Sequence, residues 1–309
     1  MATFFDEIRK NKIRSDIIIF FFILFVLAVG AGVGYYYTMG APGGWMGGVV
    51  IAAIVGGIYF LISWSSGSKI ILSTTGAKEV KKKDYPHLFH TVEGLAIAAG
   101  VPTPKCYVIK DTALNAFATG RNPKNSAIAV TTGLLDKLNR QELEGVIAHE
   151  MSHIKNYDVR VMMLTAVLVG VLTLISDVIL RSMLWGGAGR SSGGGGDNGG
   201  GQLKIALIVF AIVLAILSPL IGQLIKLSVS RKREYLADAS GAMLTRYPQG
   251  LADALKKIKG DPDPLVDKAN KATAHLFIST PFRKKSGFMK RLFSTHPQID
   301  ERIKRLEAM

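Results

Sequence analysis

Residues 146–158 read V-I-A-H-E-M-S-H-I-K-N-Y-D. His149 and His153 stand four apart, and Glu150 follows the first of them. On a helix, positions i and i+4 share a face one turn apart, so both imidazoles are able to meet one cation. Neutral imidazole nitrogen binds zinc at about 2.0–2.1 Å. A zinc ion there would lower the pKa of a water from about 16 to about 7. Glu150, on the neighbouring face, would take the water's proton during attack on a carbonyl and pass it to the leaving amine. This is the H-E-x-x-H pattern of zinc hydrolases. The bland alternative is a solvated helix face.

Two histidines leave zinc short of ligands, so the chemistry needs a third. The best candidate lies in S-V-S-R-K-R-E-Y-L-A-D-A, residues 228–239. Glu234 would be the ligand. Asp238, one turn further on the same face, would accept the N–H of a ligand histidine and fix its tautomer. A solvated partner for the neighbouring arginines and lysine is the other reading of Glu234.

These residues sit on elements readable from periodicity. Leu143, Val146, Ile147, Met151 and Ile154 give residues 140–156 one apolar helical face. A helix is expected over 86–99, ended by Gly100. Strands are expected at K-C-Y-V-I, residues 105–109, and N-S-A-I-A-V-T-T, residues 125–132, with a short turn or helix over 133–138. Helices are expected at 231–245, 250–258 and 297–308. The fold class is α+β, mostly helical. Strand 125–132 is the expected edge for an extended substrate.

Four apolar runs of about 20 residues interrupt this pattern, near 17–37, 45–64, 161–180 and 205–225. Each reaches about 30 Å as a helix, enough for a bilayer core. The first is read as a retained anchor and not as a leader, because another run follows within about ten residues. Basic residues cluster before the first (Arg9, Lys10, Lys12, Arg14), after the second (Lys69, Lys78, Lys81, Lys82, Lys83) and after the fourth (Lys226, Arg231, Lys232, Arg233). By the positive-inside rule these regions share the cytoplasmic side, as do both termini. The expected organisation is 1–66 with two spans, 67–159 with H-E-M-S-H, 160–228 with two more spans, and 229–309 with the third ligand. The catalytic domain is thus interrupted by the third and fourth spans. Between those spans lies a linker with ten glycines in sixteen positions, residues 186–201. Asp177 with Arg181 reads as an interfacial ion pair, and Pro219 as a kink.

The net charge of +15, from 38 Lys and Arg against 23 Asp and Glu, suits a membrane surface. No basic-aromatic pattern points to nucleic acid. The single cysteine, Cys106, excludes an internal disulfide and a cysteine-rich zinc module and reads as a buried strand residue.

H-E-M-S-H, two apolar runs, then S-R-K-R-E-Y-L-A-D resemble the HtpX family of membrane-bound zinc metalloproteases, grouped with the CAAX prenyl proteases as gluzincins. L-N-A-F-A-T-G at 114–120, K-A-T-A-H-L-F-I at 271–278 and S-T-H-P-Q-I-D-E-R-I at 294–303 extend the likeness over the whole chain. The resemblance implies one zinc on His149, His153 and Glu234, with Glu150 as acid/base. It also implies proteolysis of damaged or misfolded membrane proteins at a bacterial inner membrane. It suggests that His296 approaches the site. Asn115 and Arg302 are candidate substrate contacts, Arg302 alternatively holding a carboxylate. His87 and His90 read as surface residues and His275 as a packed core histidine. The competing functions are a prenyl-protein protease, for which four spans are few, and a non-catalytic zinc-containing membrane adaptor, which has no need of Glu150.

Overall fold

The structure, a computed structural model, describes residues 4–38, 41–170, 231–262, 273–279 and 297–309. Two helices open the chain, α1 (Phe4–Tyr37) and α2 (Gly44–Thr74). Both are long and apolar enough to cross a membrane. They pack as an antiparallel hairpin through glycines. A side chain on Gly30 or Gly48 would collide with the backbone of the other helix, and Gly34 meets Gly44 and Gly48 in the same way. Small residues at such a seam let backbones approach where no hydrophobic effect drives association. Phe20, Ile51 and Leu61 point outward from the hairpin, more than half exposed.

Neither helix stops where the apolar runs do. α1 begins well before residue 17, and Asn11, Ser15 and Ile18 on its early turns are buried. α2 passes residue 66 unbroken, and Ile71 and Leu72 near its end join the core of the hydrophilic part. A further helix, α6, covers 158–170. Its Met163 lies against Ser68, and the Val167 carbonyl accepts from Tyr59 Oη at 3.5 Å. α6 therefore runs back along α2, away from the sheet. The rest of the third span, the fourth, the glycine-rich linker, Asp177, Arg181 and Pro219 lie outside the described residues.

The sheet has four strands in the order β1-β2-β4-β3: β1 (Lys78–Glu79), β2 (Lys105–Ile109), β3 (Ala116–Asn122) and β4 (Asn125–Thr131). β2 runs parallel to β4, with Lys105 opposite Ala127. β3 and β4 form an antiparallel hairpin, with Ala116 opposite Val130. Two expectations change here. Residues 116–122 form a strand that was not expected. A-F-A-T-G is buried on both faces, so it lacks the alternation that marks a half-buried strand. In consequence β4 is internal, flanked by β2 and β3, and the outer strands are β1 and β3.

Helix α3 (Pro86–Ala99) ends at Gly100, whose φ of 69° suits a residue without Cβ. α4 (Thr132–Lys137) follows β4 directly. α5 (Arg140–Lys155) starts from a capping box: Asn139 accepts from the Glu142 N–H, and Glu142 accepts from the Asn139 N–H. α7 (Arg231–Thr245), α8 (Pro248–Gly260) and the C-terminal α9 (Ile299–Glu307) complete the helical layer. α5 lies at its centre, packed on α7, α8, α3 and β3. Gly145 of α5 sets the closeness of α8, since a Cβ there would stand 2.6 Å from the Leu251 nitrogen.

Candidate metal centre

Every residue of α5 from Gly145 to Ile154 is buried. His149, Glu150 and His153 thus occupy no solvated face, and the bland reading of the motif fails. α7 crosses α5 closely because residue 241 is glycine; a Cβ there would lie 3.1 Å from the His149 nitrogen. That approach brings Glu234 and Asp238, both buried, to the two histidines.

The geometry is convergent. His149 Nε2 lies 3.2 Å from His153 Nε2. Glu234 Oε2 is 3.7 Å from the first, and Oε1 is 3.5 Å from the second. Among the described residues these three side chains form the only group spaced to hold a metal ion. Bonds of about 2.0–2.1 Å in a tetrahedral site put ligand atoms about 3.3 Å apart, close to all three separations. The outer nitrogens are also committed. His149 Nδ1 lies 3.0 Å from Asp238 Oδ1, and His153 Nδ1 lies 2.7 Å from Asp158 Oδ2. Each carboxylate accepts an Nδ1–H, which turns both Nε2 lone pairs inward toward each other and toward Glu234. Three acceptors converging in a buried space fit a cation.

Charge gives the same answer. Glu150, Asp158, Glu234 and Asp238 are buried together with Arg233 and Arg302. Four carboxylates against two guanidinium groups leave a deficit of two, the charge of one zinc ion. In the protein without metal, protons answer that deficit. Burial alone would lower the His153 pKa. The hydrogen bond to Asp158 and the charges of Glu234, Asp158 and Glu150 outweigh it and push the imidazole up to about 9. Glu150 is also raised, mainly by burial, against the pull of both histidines and a backbone hydrogen bond from Ala118.

Arg302 is fully buried and grips Asp238 with two hydrogen bonds, Nε to Oδ2 at 2.9 Å and a terminal nitrogen to Oδ1 at 2.6 Å. It also lies 3.4 Å from the His149 ring. Of its two expected tasks it performs the carboxylate one, from behind the metal centre. Asn115 is also buried and its amide is engaged inside the protein. Its Nδ2 donates to the Ser279 carbonyl at 3.0 Å, and its Oδ1 accepts from the Ala116 N–H at 3.1 Å. Next to it, the Ile278 N–H donates to the Ala116 carbonyl. In this arrangement Asn115 holds residues 273–279 against the start of β3. His296 lies outside the described residues. His275 is buried, its Nε2 3.2 Å from the Met162 carbonyl, while His87 and His90 are exposed.

Sequence alone assigned Asp158 and Asn11 no role in the site, and Arg233 only a place in a basic cluster. Asp158 ends the same thirteen-residue stretch as the motif and does for His153 what Asp238 does for His149. The signal was available, since each ligand histidine needs an acceptor for its second N–H.

Residues 82–309 match the model of peptidase family M48. The chain belongs to peptidase family M48. Curated relatives match along nearly their whole length. A "Protease HtpX homolog" of Dictyoglomus turgidum is 43% identical over 99% of this chain and 95% of its own. Those of Streptococcus mutans and Streptococcus gordonii are 45% and 42% identical, each over 99% of both chains. The crystal structure of S. mikatae Ste24p, 19% identical with a TM-score of 0.44, covers 84% of this chain and 64% of that one, a likeness too distant to add to the assignment. As an M48 peptidase the chain is a zinc metalloprotease, a hydrolase of peptide bonds, and its two long apolar helices agree with a membrane-bound one.

Proposed function

We propose that this M48 peptidase is a multi-pass endopeptidase of a bacterial inner membrane that cuts misfolded or damaged membrane proteins on the cytoplasmic side. The observation that carries the chemistry is the buried convergence of His149, His153 and Glu234 beside Glu150. Zinc held there would supply a Lewis acid and an acidified water. Glu150 accepts the water's proton and delivers it to the departing amine nitrogen. Asp238 and Asp158 hold the ligand imidazoles in one tautomer. An extended substrate would add alongside β3, an outer strand of the sheet, whose Ala118 N–H already reaches Glu150. Main-chain pairing of this kind tolerates many sequences.

The membrane reading rests on placement. The start of α1 and the end of α2 both meet the catalytic layer, and the basic clusters at 9–14 and 78–83 lie at that same end. Positive charge of this kind faces the cytoplasm, so the amino terminus and the cleft are assigned to that side. His153 stands eight residues before the third apolar run. The metal centre therefore lies near the bilayer, where loops of unfolded membrane proteins arrive first.

The test compares the full chain with Glu150→Gln in detergent and in vesicles. Both variants are expected to hold one zinc, while cleavage of an unfolded protein falls by at least about 10²-fold in the variant. Zinc retained with no cleavage by either protein would sink the catalytic reading in favour of the adaptor. Equal cleavage of soluble and membrane-embedded substrates would sink the reading that membrane proximity selects them.

A further inference from the structure

α5 ends at Lys155, and the chain must turn before α6 begins at 158. The turn is made by Tyr157 in the left-handed region, φ 61°, a conformation that side chains with a Cβ rarely adopt. It swings Asp158 back so that its carboxylate reaches His153 Nδ1. Such a conformation is strained and persists where surrounding contacts over-determine it.

Those contacts come from the amino-terminal helix. The Nδ2 of Asn11, itself 1% exposed, donates to the Asn156 carbonyl at 2.6 Å and to Asp158 Oδ1 at 2.6 Å. The two bonds bracket Tyr157. Lys12 lies over the Tyr157 ring at 5.0 Å, and Arg160 pairs with Asp16 at 3.4 Å. Arg233, from the helix that carries Glu234, contacts the same oxygen of Asp158 as Asn11 does. An apolar helix expected to serve as an anchor thus places one amide two hydrogen bonds from a zinc ligand.

We propose that Asn11 is a positioning residue of the metal centre: it orients Asp158, and through it His153, so that the seating of α1 in the membrane sets how tightly zinc is held. The proposal rests on the zinc assignment above. Its chemistry needs the donor amide and not merely the volume of the side chain. A leucine of similar size fills the space but leaves Asp158 without that bond and the Tyr157 turn without its bracket. An aspartate reverses the dipole and sets one carboxylate against another.

The experiment measures zinc release from the full-length protein in detergent to a coloured chelator, beside the visible spectrum of the cobalt-loaded form. Wild type, Asn11→Leu, Asn11→Ser and Ser15→Ala are compared. Ser15 is buried on the same face and, among the described residues, its hydroxyl bonds the Asn11 backbone carbonyl and no group of the metal centre, so it reports on the packing of this face. Asn11→Leu is expected to release zinc about 10-fold faster, the usual effect of losing a partner behind a ligand histidine, and to shift the cobalt bands. Asn11→Ser, which keeps a donor, is expected to lie between Leu and wild type. Ser15→Ala is expected to match wild type. Release from Asn11→Leu within twofold of wild type overturns the proposal, as does an equal acceleration in Ser15→Ala. Should the leucine variant not fold, Asn11→Ser decides: release and cobalt bands identical to wild type overturn it. A wild type that binds no zinc would overturn the metal assignment itself, a result distinct from all of these.

Discussion

Replacing Arg302 by methionine tests the electrostatic logic of the centre, because it removes a cation without leaving a large hole. Arg302 is 0% exposed and its guanidinium makes two short bonds to Asp238. In the variant Asp238 stays buried, with His149 as its remaining partner. Breaking one side of a buried pair costs about 3–5 kcal/mol. At about 2–4 °C per kcal/mol for a domain of this size, the zinc-loaded variant should melt about 6–20 °C below wild type in detergent at neutral pH and a fixed scan rate. Acid should narrow the gap. Burial raises the Asp238 pKa, but the charge and hydrogen bonds of Arg302, helped by His149, outweigh it and hold the carboxylate below its usual range. In wild type that stability is present above the unfolded carboxylate pKa and is lost only as pH falls through the lowered folded value. With Arg302 gone, burial prevails and the pKa rises. Asp238 then takes up a proton as pH falls through that raised value, and the penalty shrinks. Adding Asp238→Asn to Arg302→Met should likewise recover part of the loss. A variant melting within about 2 °C of wild type at pH 8, or a gap that widens on acidification, would refute the reasoning.

One further outcome follows from the same charges and another from burial in the sheet. Because the metal-free protein pushes His153 up to about 9, zinc binding must displace a proton below that pH. Apparent affinity should weaken about tenfold per pH unit below about 9, and calorimetry in buffers of different ionisation enthalpy should register about one proton released; a pH-independent affinity between 6 and 8 would contradict the assignment. Cys106 is buried in β2, and burial pushes its thiol up to about 12. It should therefore resist a maleimide in the folded protein and react fully once denatured, as read by mass; fast labelling of the folded protein would mean that β2 is not packed as described.

Much of the centre was legible because its parts are local. H-E-x-x-H needs only a helix, and the apolar face of 140–156 announces one. Asp238 follows from Glu234 by helical spacing alone. What stayed hidden depends on contacts far apart in the chain. Asn11 and Asp158 are separated by 147 positions, and nothing in the neighbourhood of either names the other. Arg302 was read with two possible tasks because its burial depends on α9 packing across α7 and α8. The strand at 116–122 was missed for the opposite reason. It is so fully enclosed that alternation vanishes, and without it β4, an internal strand, was read as an edge.

The buried charges also explain why the site is assembled from so many elements. One helix cannot hold two histidines, a base and their partners, since the second nitrogen of each histidine points away from the metal and off the helix. Asp158 must come from beyond a strained turn, Asp238 from α7, and each then needs a cation or amide to make its burial tolerable: Arg233 and Asn11 for one, Arg302 for the other. The requirement passes outward until it reaches the first helix of the chain and the last. A zinc ion cancels the remaining deficit of two. In its absence the raised pKa values of His153 and Glu150 both move toward protonation, as that deficit demands. Proton and metal therefore compete for the same buried negative charge, and the elements that surround it, α1 among them, set the terms of that competition.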